Sequence, residues 1–428
     1  MVFLAVLCVA CLGLRWYSEK TGRTFREMLS SVPGIGERFQ EDPAETGGVS
    51  AGSSVIPPEA SSVSDGGSSD SAPETTDSQE QEKPGAGQFG VMTGDEGYYA
   101  YLQLDETDRS VYDRILSSIE NREEVSFLES EADGDDIGRI FQCVLSDHPE
   151  IFYTTSYVCV KRTHSLFPTT YRFLAKYDYS EEETESHRAQ IEQISSQILS
   201  ALAADADDYT KAKYVYEYIV GHTEYDSSAE NNQNLLSVFE NGRSVCAGYS
   251  KATEYLFQKL GIRCGIVYGT ATDESGTSDH AWNAVFLDGA YYYVDSTFGD
   301  PVVSDNSGYD RGVDYNYLCV TTEDILKDHT IDETRMKAPE CTAVDDNYYR
   351  REGAYFTSYD RNQLASLFSR MFESGAKNLS IRCSDETVYR EMYDDLVDNG
   401  AIFHYLQGRD RYGTTTNSQL YSITFAVN

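Results

Sequence analysis

Residues 279–301 read Asp-His-Ala-Trp-Asn-Ala-Val-Phe-Leu-Asp-Gly-Ala-Tyr-Tyr-Tyr-Val-Asp-Ser-Thr-Phe-Gly-Asp-Pro. The segment Leu287-Asp288-Gly289-Ala290 is a two-residue hairpin signal, because Asp-Gly tolerates the positive φ angles of a type I′ turn. Such a turn sets Leu287 opposite Ala290. Counting outward then pairs Trp282 with Asp295. Directly opposed residues share a face, and His280, two residues before Trp282, lies on that face too. His280 and Asp295 thus become diagonal neighbours, with Cβ atoms about 7–8 Å apart or slightly less, a gap that polar side chains can bridge. A carboxylate is placed beside an imidazole by register alone. A polar cross-strand pair at a sheet edge would give the same pattern.

Upstream, Cys246 stands where a helix should begin. Ser244 is positioned to cap it, Ala247, Gly248 and Tyr249 open it, and Gly261 is placed to end it after Leu260. Unpaired N–H groups and the dipole at a helix start favour a thiolate. Small residues after the cysteine leave room for a substrate backbone. Taken alone, a cysteine at a helix start is more often packing.

Three blocks therefore stand in order: Ser-Val-Cys-Ala-Gly-Tyr-Ser at 244–250, Asp-His-Ala-Trp-Asn at 279–283, and Tyr-Tyr-Val-Asp-Ser-Thr-Phe-Gly-Asp-Pro at 292–301. In order and spacing they resemble the transglutaminase-like superfamily, in particular bacterial domains of the C-x-G-Y type. The resemblance implies an α+β, papain-like core, with the nucleophile at the head of a central helix packed on an antiparallel sheet. It implies Cys246 as nucleophile, His280 as general base and Asp295 as the residue that orients the histidine. Phe298 stands where many relatives carry Trp. The backbone N–H of Cys246 is one oxyanion donor by geometry. A second donor should come from upstream, where Tyr225, Asn232, Gln233 and Asn234 remain equal. The implied chemistry is acyl transfer on an amide of a protein or peptide, cell-wall peptide included, through a thioester. The acceptor is an amine or, in a protease or amidase, water. A non-catalytic binding module on the same fold is the alternative of a different class.

Composition bounds the rest. The chain has 428 residues and a net charge of −37, which suits solubility and excludes nucleic-acid binding, since phosphate contacts need clustered Lys and Arg. Nine cysteines, widely spread and odd in number, argue against a disulfide scaffold and read mainly as small buried hydrophobes. No Cys/His cluster has zinc spacing, so neither metal nor cofactor is expected. The run Asp133-Gly134-Asp135-Asp136 lacks the later acidic ligands of a calcium loop and reads as a helix-start cap. His148, His164, His187, His222, His329 and His404 stand isolated and carry no expected role.

Length predicts two or three domains. Residues 1–22 contain an apolar run, Val2 to Leu14, shorter than the roughly 20 residues that span a bilayer. Arg15, Lys20, Arg23 and Arg26 follow it, and the segment reads as the remainder of a signal anchor giving membrane association. Residues 41–97 are rich in Ser, Gly, Pro and Glu, as in Gly66 to Asp77, and read as a disordered acidic stalk. An extracytoplasmic, membrane-anchored or secreted location follows as an expectation. Residues 98–205 read as an N-terminal α+β domain, 206–330 as the catalytic domain, and 345–428 as a C-terminal α+β domain. In the last, Tyr421, Ile423, Phe425 and Val427 alternate on one strand face.

Overall fold

The computed structural model describes residues 97–163, 166–273, 276–300 and 312–427. The apolar segment 1–22, and the stalk 41–97 apart from Gly97, lie outside the described residues.

The described chain is α+β throughout. Helix α1 (Glu106–Glu120) is capped by Asp105, which accepts from the Asp108 N–H, and buries Val111, Tyr112, Ile115 and Ile119. Helix α2 (Gly134–Asp147) opens with a capping box between Asp133 and Asp136. That pairing satisfies two helix-start N–H groups and accounts for the acidic run. Strands β1 (Val125–Leu128), β2 (Thr154–Arg162) and β3 (Thr170–Tyr177) form an antiparallel sheet in the order β1-β3-β2. Helix α3 (Glu181–Leu199) starts with a second capping box, between Ser180 and Glu183.

Helix α4 (Asp208–His222) leads into β4 (Glu224–Tyr225), which pairs in parallel with β5 (Arg243–Ser244). Helix α5 (Cys246–Lys259) follows at once, and Gly261 at φ 74° ends it. Next come β6 (Cys264–Asp273), β7 (Gly276–Leu287), β8 (Ala290–Val294), β9 (Leu318–Val320) and β10 (His329–Ile331). They form one antiparallel sheet in the order β10-β6-β7-β8-β9. The β7–β8 hairpin has the expected register, Leu287 opposite Ala290 and Asn283 opposite Val294. Asp288 at φ 47° and Gly289 at φ 90° supply the two positive angles that the turn requires.

Helix α5 lies on β6 and β7, with Tyr249, Ala252, Leu256 and Phe257 fully buried. Buried apolar side chains from Ala100 to Cys319 make one continuous cluster, so α1, α2, α4 and α5 share a core. A second cluster, from Tyr349 to Val427, belongs to the C-terminal sheet. There β11 (Tyr355–Phe356), β12 (Asn378–Cys383), β13 (Gly413–Asn417) and β14 (Ser422–Ala426) are ordered β11-β12-β14-β13 under helices α6 (Arg361–Ser374) and α7 (Glu386–Tyr393). Ile423, Phe425 and Val427 are buried as their alternation requires, and Tyr421 packs against the same cluster. Arg382 grips Asp324 with both guanidinium nitrogens, and Asn316 donates to Ser422 Oγ at 2.9 Å, which ties this sheet to the segment after β8. Among the described residues, no helix is long and apolar enough to cross a membrane.

One close approach sets the far edge of the five-stranded sheet. Gly269 on β6 lies opposite both His280 on β7 and Ile331 on β10. A Cβ there would lie 1.8 Å from the Thr330 carbonyl oxygen and 3.0 Å from the Trp282 ring. Gly269→Ala must therefore push β10 outward. A loss of about 1–3 kcal/mol is expected from such overpacking, read as a fall of several degrees in Tm by calorimetry. An unchanged Tm would contradict the close approach.

Candidate active site

Cys246 is the first residue of α5 and is half-buried. The cap of this helix differs from expectation. Val245 occupies the N-cap position and makes no side-chain bond. The Ser244 hydroxyl is instead engaged with Ser237 Oγ at 2.6 Å and the Asn232 carbonyl at 3.2 Å. No side chain covers the helix start, and among the described residues the backbone N–H of Cys246 has no hydrogen-bond partner. An uncovered N-terminus keeps its positive end of the dipole for a ligand or a thiolate.

His280 and Asp295 come together as the hairpin register requires. His280 Nε2 lies 2.7 Å from Asp295 Oδ2, and both groups are buried. The Cys246 thiol lies close enough to the same imidazole to act on its proton affinity. With Nε2 on Asp295, Nδ1 is the ring nitrogen left for the thiol. Burial works against the His280 cation, but Asp295 outweighs it, and Cys246 adds to the effect, so the imidazole is raised to about 10. Burial likewise works against the Asp295 anion. The His280 and His329 rings more than offset it, holding the carboxyl well below the usual carboxylate range.

Three polar pins hold the helix against the hairpin, and they explain residues in all three sequence blocks. Asn283 Nδ2 on β7 donates to the Ser250 carbonyl at 3.0 Å, one turn below Cys246. Thr253 and Ser296 hydroxyls meet at 3.0 Å. The Tyr249 hydroxyl donates to Asp300 Oδ2 at 2.7 Å. Buried hydrogen bonds between rigid elements fix the nucleophile's position relative to the imidazole better than exposed ones could. Phe298 meets the His280 ring edge-on at 5.1 Å and the His329 ring at 4.7 Å.

The upstream side chains no longer stand equal. Asn232 Nδ2 is spent on the Ser227 carbonyl, Gln233 Nε2 on Asn232, and Asn234 Oδ1 accepts from the Leu236 N–H. The Tyr225 hydroxyl has no hydrogen-bond partner among the described residues. Its strand sets it opposite Ser244, two residues before the thiol, and its phenol is raised first by burial and then by the charge of Cys246.

His329, read from sequence as an isolated histidine without a role, is the residue that the sequence reading missed. It sits on β10 with its side chain fully buried, and its Nε2 lies 3.0 Å from Asp295 Oδ2, the same oxygen that His280 uses. Its Nδ1 lies 2.5 Å from Asp328 Oδ1. The adjacent Asp328-His329 pair was the available signal. The other histidines within the described residues lie elsewhere: His148 on Glu150, His187 on Glu240, His222 on the Tyr218 carbonyl, and His404 in the short helical turn Ala401–His404.

His280, Asp295 and His329 bring ligand-type atoms within 4.8 Å of one another. The arrangement is a hydrogen-bonded one. Both rings point at a single carboxylate oxygen, at 2.7 and 3.0 Å, rather than converging on a common centre about 2.0–2.2 Å from each atom. These residues do not fit a metal centre.

Comparison with known proteins agrees with this core. Residues 196–296 match the transglutaminase-like superfamily. Kyphoscoliosis peptidase of Mus musculus is 30% identical over 122 residues, covering 25% of this chain and 18% of the mouse protein. The Homo sapiens protein is 30% identical over 121 residues, with the same 25% and 18% shares. The match thus spans under a fifth of the length of these curated relatives. Among solved structures, a TGase aligns at 17% identity and a TM-score of 0.24, covering 37% of this chain and 48% of that one. A candidate cysteine protease from Cytophaga hutchinsonii aligns at 12% identity and a TM-score of 0.23, covering 41% and 65%.

Proposed function

Starting from the transglutaminase-like domain that this chain carries, we propose that it is a cysteine-dependent acyltransferase acting on amide bonds of proteins or peptides. The observation that carries the reading is the buried His280–Asp295 pair at 2.7 Å, with Cys246 acting on the same imidazole. In the proposed cycle, Cys246 passes its proton to His280 Nδ1, and Sγ attacks the carboxamide carbon. The new C–S bond leaves an oxyanion facing the uncommitted Cys246 N–H at the helix start. Collapse breaks the C–N bond, and the leaving amine takes the His280 proton. An acceptor amine or water then attacks the thioester and gives its proton to His280, and the thiol is restored. Asp295 holds the imidazole in one tautomer and stabilises its cation throughout.

The acceptor decides between transferase and hydrolase, and the triad serves both. Cell-wall peptide is the substrate proposed for a protein held outside the cytoplasmic membrane by its N-terminal segment and stalk. The apolar run at 2–14 and the composition of 41–97 support that placement. The test is mass spectrometry of cell-wall and protein material incubated with the full chain and a labelled primary amine, with Cys246→Ala as control. Label incorporated by wild type and absent with Cys246→Ala is the expected result. Hydrolysis alone, also lost with Cys246→Ala, would turn the reading to a protease or amidase. Neither product from wild type would leave a binding module on the same fold.

A further inference from the structure

Beyond the triad lies a second buried histidine with a carboxylate on each side. Four N–H groups converge on Asp295. Oδ1 accepts from the backbone of Thr297 at 2.9 Å and Phe298 at 3.1 Å. Oδ2 accepts from His280 at 2.7 Å and from His329 at 3.0 Å. With every site on this carboxylate taken by a donor, His329 Nε2 must carry a proton. The other ring nitrogen faces Asp328 Oδ1 at 2.5 Å, and Asp328 Oδ2 accepts the Tyr317 hydroxyl at 2.6 Å. A ring between two carboxylates donates at both ends, which only the imidazolium can do. The side chain has no exposed surface, and the rings of Trp282 at 5.0 Å, Phe298 at 4.7 Å and Tyr317 at 5.9 Å wall it in.

We propose that His329 is a positioning residue for the triad: a fixed buried cation that orients the Asp295 carboxylate and tempers its pull on His280. The proposal rests on the reading of Cys246, His280 and Asp295 as the reacting triad. Orientation follows from the shared oxygen. Two N–H donors on Oδ2 and two on Oδ1 leave Asp295 one rotamer, so His280 cannot turn away without leaving a buried charge short of a donor. Tempering follows from charge. An ionised Asp295 alone would hold the His280 proton too firmly for transfer to a leaving amine. The positive His329 ring, 5.3 Å from the His280 ring, offsets part of that attraction. The two carboxylates facing His329 agree in direction. Burial opposes its charge, whereas Asp295 and Asp328 raise its proton affinity above the ordinary histidine value. Against it stands the nearby His280 cation, itself paired with Cys246. Asp314, which acts on Tyr317, is itself pushed up to about 6, first by burial.

Position and sequence explain how such a device is built. Asp328 ends the turn before β10, and its side chain reaches Tyr317, which precedes β9 at the opposite edge of the sheet. The turn from Thr321 to Asp328 thus joins the two edges around the triad. Gly269 lets β10 approach closely enough for His329 to reach Asp295, so the glycine, the histidine and the aspartate belong to one design.

The test uses the full chain in two arms. In the first, ring nitrogens of 15N-histidine-labelled wild type are followed by NMR from pH 6 to 9. His329 is expected to keep protons on both nitrogens throughout. A neutral ring within this range, with the proton lost or carried by Asp328, overturns the proposal. In the second, the rate of Cys246 alkylation by iodoacetate is measured against pH for wild type, His329→Gln, Asp328→Asn and His280→Ala. The iodoacetate anion is attracted by the His280 cation, so the rate falls where His280 loses its proton. Without the His329 charge that fall should move up by about one to two pH units; Asp328→Asn should move it less, in the same direction. A merely structural role would lower stability and leave the limb in place. If His329→Gln does not fold, Asp328→Asn and the wild-type spectra decide. Profiles that superimpose on wild type sink the role of His329 alone, provided His280→Ala slows alkylation. If His280→Ala changes nothing, the triad reading itself falls.

Discussion

Asp295→Asn is expected to fold and to lose roughly a thousandfold or more in turnover, in line with the loss of an aspartate that orients a catalytic histidine. The amide keeps an oxygen for one ring but loses the charge. His280 loses the contact that, against the effect of burial, raises its proton affinity most. His329 would then face an amide on one side and a carboxylate on the other. Stability should respond to pH in a definite direction. A histidine raised from 6.5 to about 10 by folding contributes its full stabilisation below about pH 6.5 and loses it as pH rises through 10. A carboxylate held below its ordinary 3.8 contributes at neutral pH and loses that contribution only as pH falls through its depressed range. Wild type should therefore exceed Asp295→Asn in Tm at neutral pH, and the difference should shrink above pH 10. Thermal scans at pH 7 and pH 10.5, beside turnover, check both parts. Near-normal turnover with Cys246 still essential would remove Asp295 from the mechanism.

The hairpin was legible because its information is local. Asp288-Gly289 sets the turn, and a period of two carries the register outward through six pairs, to Trp282 and Asp295. The helix at Cys246 was legible from its small opening residues and from Gly261 at its end. Its cap was not. Ser244 has the right chemistry for an N-cap, but tertiary packing commits its hydroxyl to Ser237, seven residues earlier. The acidic run at Asp133 is the opposite case, where the cap is formed within three residues and local reading suffices. His329 lies 34 residues beyond Asp295 and reaches it only because β10 pairs with β6. That pairing depends on the absence of a side chain at Gly269. No periodicity in three residues of strand announces such a contact. The pins from Asn283, Thr253 and Tyr249 were equally hidden. Their residues stand within or beside the recognisable blocks, but the bonds exist only once helix and sheet are docked.

The central claim is that Cys246 is a nucleophile set apart from the other thiols, and its reaction with iodoacetamide at near-neutral pH tests that claim most directly. Among the described residues seven cysteines are free, and five of them, Cys143, Cys264, Cys319, Cys341 and Cys383, are buried. Burial pushes the Cys143 thiol up to about 11 and those of Cys341 and Cys383 up to about 12. Burial also raises Cys264 and Cys319 well above the ordinary thiol value. Cys159 is the informative control. It is half-buried like Cys246, but it lies in the middle of β2, and its thiol is raised first by burial and then by the Asp133 carboxylate. If exposure alone governed the rate, the two would label together. The account predicts that peptide mapping finds Cys246 modified first, at least tenfold faster than Cys159, and that His280→Ala removes most of that advantage. Labelling of Cys246 no faster than Cys159 in the native protein would contradict it.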